Sequence, residues 1–94
     1  PYLALSGMLA GGLHGIANEL TLEPAFEGNA YTSDKQHVPS TLAEARELFA
    51  ASEIAAVAFG PEVVEHYVNA ADIELAAFNS AVTDWERIRG FERL

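Results

Sequence analysis

Residues 61–90, PEVVEHYVNAADIELAAFNSAVTDWERIRG, carry the strongest periodic signal in the chain and decide its fold class. Val64, Ala71, Phe78 and Trp85 recur every seven residues, and Val68, Leu75 and Val82 form a second row beside them. Adjacent rows at that spacing are the apolar stripe of an amphipathic helix, because residues three, four and seven apart share a face. The pattern predicts a long helix over 61–81, with Glu62, His66, Asn69 and Asp72 on or near its solvated side. Thr83 and Glu86 then stand at the spacing of a capping box, so a new helix is expected over 83–92 in place of a continuation.

Upstream of this segment the punctuation is equally plain. In STLAEARELF, Thr41 and Glu44 have capping-box spacing and Leu42, Ala45 and Phe49 share a face, which predicts a helix over 41–51. Ser52 can cap a shorter helix over 53–59 through Ile54, Val57 and Phe59. Gly60 ends it and Pro61 suits the first position of the next. From 21 to 40 the periodicity stops and turn formers gather: Pro24, Gly28-Asn29, Ser33-Asp34 and Pro39. This is one long connecting loop, of a length usually reserved for function or for draping over another surface. With no alternating strand pattern and no internal repeat, the reading is all-α, four to five helices with one long loop.

The remaining segment, PYLALSGMLAGGLHGIANEL, predicts a helix over 2–19 that has no solvated face. No formal charge occurs from Tyr2 to Ala17. Ala4, Gly7, Gly11 and Gly15 make a small-residue side, and Leu5, Leu9, Leu13, Ile16 and Leu20 a bulky one. Each glycine costs up to ~1 kcal/mol of helix propensity relative to alanine, so their presence implies close approach by a backbone or ligand. A helix apolar all round belongs inside a larger protein. The charge-free run lacks a basic leader and falls short of the roughly 20 residues a bilayer needs, which argues against a signal peptide and a membrane span.

At 94 residues the chain makes a single domain at most. Half of it is apolar and 20% is charged, too hydrophobic for disorder. Five basic residues against 14 acidic ones give a net charge of -9, the wrong sign for a nucleic-acid partner or an anionic membrane surface. The absence of cysteine removes disulfides and thiolate sites and fits a cytoplasmic setting.

Candidate chemistry is sparse. Glu62, Glu65 and His66 lie within one turn, but a carboxylate-bridged metal site needs inward ligands on facing helices, and these point away from the Val64-Val68-Ala71 stripe. No metal site is expected. His14 is read as a hydrogen-bonded interior or interface residue and His37 as a surface one. The serines lack the motif context of a nucleophile, and Gly11-Gly12-x-x-Gly15 follows no strand as a phosphate loop would. The closing DWERIRGFERL places Trp85 and Phe91 among Arg87, Arg89 and Arg93, a composition enriched at protein interfaces. Candidate interface residues are therefore Gly7, Gly11, Gly15, Trp85, Arg87 and Phe91, and no catalytic or cofactor-binding residue is assigned.

Taken in order, PYLALSGMLAGGLHGI, EGNAY, STLAEARELFAAS, GPEVVEHYVNA and VTDWERIRGFERL resemble the C-terminal end of the glutamine synthetase family, and they cover nearly the whole chain. Residues 1–94 are thus expected to be the C-terminal helical segment of such a catalytic domain. The missing initiator methionine fits a piece of a longer chain and equally fits removal of Met before Pro1. The resemblance implies a parent ligase that uses ATP and Mg or Mn to activate a glutamate γ-carboxylate and join it to ammonia or an amine. The family's metal, nucleotide and catalytic residues lie upstream of the segment matching Pro1, so this part is expected to be inert alone, with a structural and assembly role. The closing VTDWERIR resembles the branch that acts on amines or polyamines. Asn29-Ala30-Tyr31 resembles the N-x-Y loop whose tyrosine is adenylylated in some bacterial members, which marks Tyr31 as a candidate regulatory residue, although the following T-S-D departs from the family's D-L-P. Implied partners are the rest of the catalytic domain and neighbouring subunits, with self-association of the chain alone. The competing reading is an independent acidic helical interaction module.

Overall fold

The computed structural model describes residues 1–93. It is all-α, with no strand among the described residues: α1 (Tyr2–Ala17), a 3₁₀ turn (Ala30–Thr32), α2 (Leu42–Ala50), α3 (Glu53–Phe59), α4 (Pro61–Ser80) and α5 (Asp84–Glu92).

Side-chain caps start three of the helices. Thr41 accepts from the Glu44 N–H at 3.2 Å and Ser52 from the Ala55 N–H at 3.1 Å. The Glu44 carboxylate passes over the cap residue and accepts from the Ser40 N–H at 2.9 Å, so α2 has a shifted form of the box. At α5 the box closes fully, with the Thr83 N–H donating to Glu86 at 2.7 Å. Removing a Thr cap costs about 1 kcal/mol. Thr83→Ala is therefore expected to lower the helicity of α5, seen as faster amide exchange over 84–92 with 61–80 unchanged.

Helix ends use backbone geometry. Gly60, at φ 87°, joins α3 to α4 in a conformation that side chains disfavour. The helix expected over 2–19 stops at Ala17. Glu19 adopts φ 50°, its N–H donates to Ile16 at 3.2 Å, and the Leu20 N–H donates to Gly15 at 3.0 Å. This is a Schellman ending built on glutamate in place of glycine, so no glycine marks it in the sequence. The loop after α1 holds a turn that periodicity does not reveal: Asn29 Oδ1 accepts from the Tyr31 N–H at 3.1 Å, and Lys35 pairs with Glu23 across the loop's neck.

Packing is confined to one region. α2 and α3 lie on α4, and α1 lies on α3. Only Ala55 and Val64 among the described residues are buried. Ala45, Phe49, Phe59, Val68, Ala71 and Leu75 are half-buried around them, with the Phe49 and Phe59 rings 6.4 Å apart. The heptad rows run out of neighbours beyond Leu75: Phe78, Val82 and Trp85 are all exposed. α5 has no packed face comparable to those of α2 and α3.

The molecule measures 60 × 41 × 21 Å, with a radius of gyration of 18.6 Å. A compact chain of this length has about 12 to 13 Å. Its accessible surface is 8457 Å², whereas a folded 10.1 kDa monomer exposes about 5,300 Å². More than 3,000 Å² is thus left uncovered.

Candidate functional site

The surface with the most to explain is α1. Leu3, Gly7, Ala10, His14 and Gly15 are half-buried, and the first four form the seam toward α3. A Cβ added at Gly7 would sit 3.9 Å from the Phe59 ring, while nothing approaches Gly11, Gly12 or Gly15 within 4 Å of that position. Of the glycine stripe, then, only Gly7 meets a neighbour in this chain. The small face is turned away from the seam over most of its length because Gly11 lies one residue past Ala10 and Gly15 one past His14, about 100° further round. Leu5, Met8, Leu9, Leu13 and Ile16 are all exposed. An open groove between α1 and α3 is lined by Ala10, Leu13, Ala17, Ile54 and Val57.

His14 is satisfied locally: its Nδ1 lies 3.3 Å from Asn18 Nδ2, and the Asn18 amide also donates to the His14 carbonyl at 2.8 Å. His66 is exposed and meets Tyr67 edge-on at 5.5 Å. Among the described residues, no three His, Asp or Glu side chains are placed to hold a metal ion. The donor set here therefore does not fit the divalent cation that the family resemblance implies, and no step can be routed through one on these residues. No helix among the described residues is long and apolar enough to cross a membrane.

Trp85, Ile88 and Phe91 are exposed on α5. Arg89 lies over the Trp85 ring at 5.1 Å, and Arg87 reaches Asp84 within the same helix at 3.5 Å. Tyr31 is 93% exposed on its 3₁₀ turn. The structure does not bring the α1 stripe and the α5 cluster into one patch, since α1 packs on α3 and α5 has no such packing.

One interaction has no sequence signature. The Arg46 guanidinium on α2 donates Nε–H to Asp72 Oδ1 and Nη2–H to Oδ2, both at 2.8 Å, across to α4. Periodicity places Asp72 on the solvated side of α4 but cannot place α2 beside it, 26 residues away. The hydrogen bonds from Arg46 hold the Asp72 carboxyl below its ordinary value of 3.8, and the same bonds hold the guanidinium pKa above its own. A depressed carboxylate stabilises the fold above its unfolded pKa and loses that contribution as pH falls through the folded one. The stability gap between the chain and Asp72→Asn is expected to be constant near neutrality and to close on acidification below the ordinary aspartate range. Urea midpoints measured across that range check this.

The geometry defines a class first: an all-α chain that leaves most of the large apolar side chains of α1 exposed. A family model for "Glutamine synthetase, catalytic domain" matches residues 1–89. The chain belongs to the glutamine synthetase family. Over 94 residues it is 57% identical to gamma-glutamylethanolamide synthetase GlnA4 of Streptomyces coelicolor, covering 100% of this chain and 20% of that protein. Over 92 residues it is 38% identical to glutamate–isopropylamine ligase of a Pseudomonas species, covering 95% and 20%. Over 97 residues it is 36% identical to type-1 glutamine synthetase 2 of Dictyostelium discoideum, covering 98% and 19%. The chain thus spans about a fifth of the length of these relatives. No solved structure matches it.

Proposed function

We propose that residues 1–94 are the C-terminal helical segment of an ATP-dependent ligase that joins an amine to the γ-carboxylate of glutamate, and that this segment serves structure and assembly, not chemistry. The observation that carries the reading is the uncovered surface around α1. A standard protein interface buries about 800 Å² per partner, and obligate ones about 1,000 to 2,500 Å² or more per side. The excess above 3,000 Å² belongs to the chain as a whole and is several times a standard interface, and the exposed Leu5, Met8, Leu9, Leu13 and Ile16 of the uncharged α1 are part of it. On this reading the remainder of the catalytic domain covers α1 and closes on Gly11 and Gly15. Trp85, Arg87 and Phe91 face neighbouring subunits, and Tyr31 is offered as an exposed modification site.

The parent's ATP and Mg or Mn would be held by residues outside this chain, and its setting would be the cytoplasm. An amine substrate in preference to ammonia is supported by the higher identity to the relative named for an ethanolamide product than to those named glutamine synthetase.

The test is made on the longer protein and on this chain separately. With glutamate, ATP and Mg, the longer protein is expected to release phosphate faster with ethanolamine than with ammonia. This chain alone is expected to give no saturable Mg-dependent ATP signal in calorimetry. Nucleotide binding by the chain alone would overturn the structural role, and phosphate release with ammonia only would overturn the amine reading.

A further inference from the structure

The apolar contact between α2 and α4 does not by itself select one alignment. α2 offers a short stripe, Ala45 and Phe49, while α4 presents Val64, Val68, Ala71 and Leu75, apolar residues recurring every three or four positions. Sliding α2 by one helical turn, about 5.4 Å, sets the same stripe against the next members of the same row. Such ladders of near-equivalent apolar contacts specify a face but only weakly a register.

The Arg46–Asp72 pair breaks that degeneracy. It is the one ion pair joining two α-helices among the described residues, because Lys35–Glu23 closes the loop and Arg87–Asp84 lies within α5. Its two bonds are parallel and both 2.8 Å long, a fork geometry that tolerates little displacement. One turn either side of Asp72 on α4 stand Val68 and Ala76, which offer no carboxylate, and Arg46 is the sole cation on α2. A slipped helix therefore loses the pair outright and leaves a half-buried guanidinium without its acceptor.

We propose that Arg46 and Asp72 set the register of α2 on α4, and with it the point at which the loop carrying Tyr31 rejoins the helical body. Apolar contacts hold the two helices together, and the ion pair chooses among their alignments. This role is one of the better-attested uses of a polar pair at a helix contact.

The chain has no cysteine, so two introduced cysteines report cleanly. Nitroxide labels at Ala43→Cys on α2 and Glu62→Cys on α4, both exposed positions, give a distance that changes by about 5 Å per turn of slip. In the unsubstituted chain, with labelled copies diluted in excess unlabelled chain so that distances between copies do not contribute, one narrow distance population is expected. Arg46→Met, which keeps the length of the side chain, and Asp72→Asn are each expected to add a second population displaced by about one turn. The charge swap Arg46→Asp with Asp72→Arg is expected to restore the single population. A single unchanged population in Arg46→Met with helicity retained would overturn the proposal. So would loss of helicity in both single variants without recovery in the swap, since each side chain would then be needed for folding on its own and the pair would not be choosing a register.

Discussion

On the function proposed above, replacing Leu9 and Ile16 by lysine is expected to shift this chain, taken alone, from self-association to a monomer, and to abolish soluble assembly of the proposed longer protein. Both side chains point away from the Leu3-Gly7-Ala10-His14 seam, at 70% and 76% exposure, so the substitutions leave the α1–α3 contact intact. Burying a leucine or isoleucine contributes about 1.5 to 3 kcal/mol, so two of them supply roughly 3 to 6 kcal/mol to any surface that covers α1. At 1.4 kcal/mol per tenfold, the concentration at which the chain associates should rise at least about 100-fold. Light scattering across a concentration series measures this. If the proposed longer protein covers α1, the same lysines would be driven into a core, where an unpaired charge costs several kcal/mol, and size exclusion should find aggregate or no soluble protein. If the unsubstituted chain were strictly monomeric with α1 amides strongly protected from exchange, the covering surface would lie within these 94 residues and the proposal would fail.

The second large effect separates two valines of the same chemistry. Val64 is 8% exposed beneath α3 and α2, whereas Val57 is 88% exposed. Val64→Asp places an unpaired carboxylate in the only buried position on α4, at a cost of several kcal/mol. A core this small rarely supplies more than about 3 to 5 kcal/mol, so the α2–α3–α4 packing should be lost altogether. Val57→Asp is an ordinary surface change in this chain and should fall within about 0.5 kcal/mol. Circular dichroism with urea titration compares the two. Equal effects would mean that α3 is not seated on α4 as described.

Much of the helical layout was legible because its determinants are local. Thr41, Ser52 and Thr83 accept the hydrogen bonds that their spacing to Glu44, Ala55 and Glu86 predicts, and Gly60-Pro61 joins two helices as that dipeptide should. The stop at Ala17 was not legible, because glutamate occupies the left-handed position where glycine is the usual signal. The 3₁₀ turn was missed because a three-residue element has no period to detect. Arg46–Asp72 was missed because the partner of a side chain across helices is decided by packing, which neither residue's neighbours encode.

The candidate site was legible only as a mismatch. An uncharged, glycine-striped helix states that something must cover it, since apolar surface left in water is unfavourable whatever the fold. Which side of it this chain itself can cover is a tertiary matter.

By itself, then, the sequence determined the helical class, the caps that start α2, α3 and α5, the family, and the demand for a neighbour at α1. The class, the caps and the demand at α1 follow from residues within a few positions of one another or from composition, whereas the family rests on the resemblance of five ordered stretches that span the chain. The tertiary structure alone decided that Gly7 meets Phe59 while Gly11 and Gly15 meet nothing, that the heptad rows lose their partner past Leu75, and that Arg46 finds Asp72. Those facts depend on how separate helices are laid together, and local propensity holds no term for the distance between two elements.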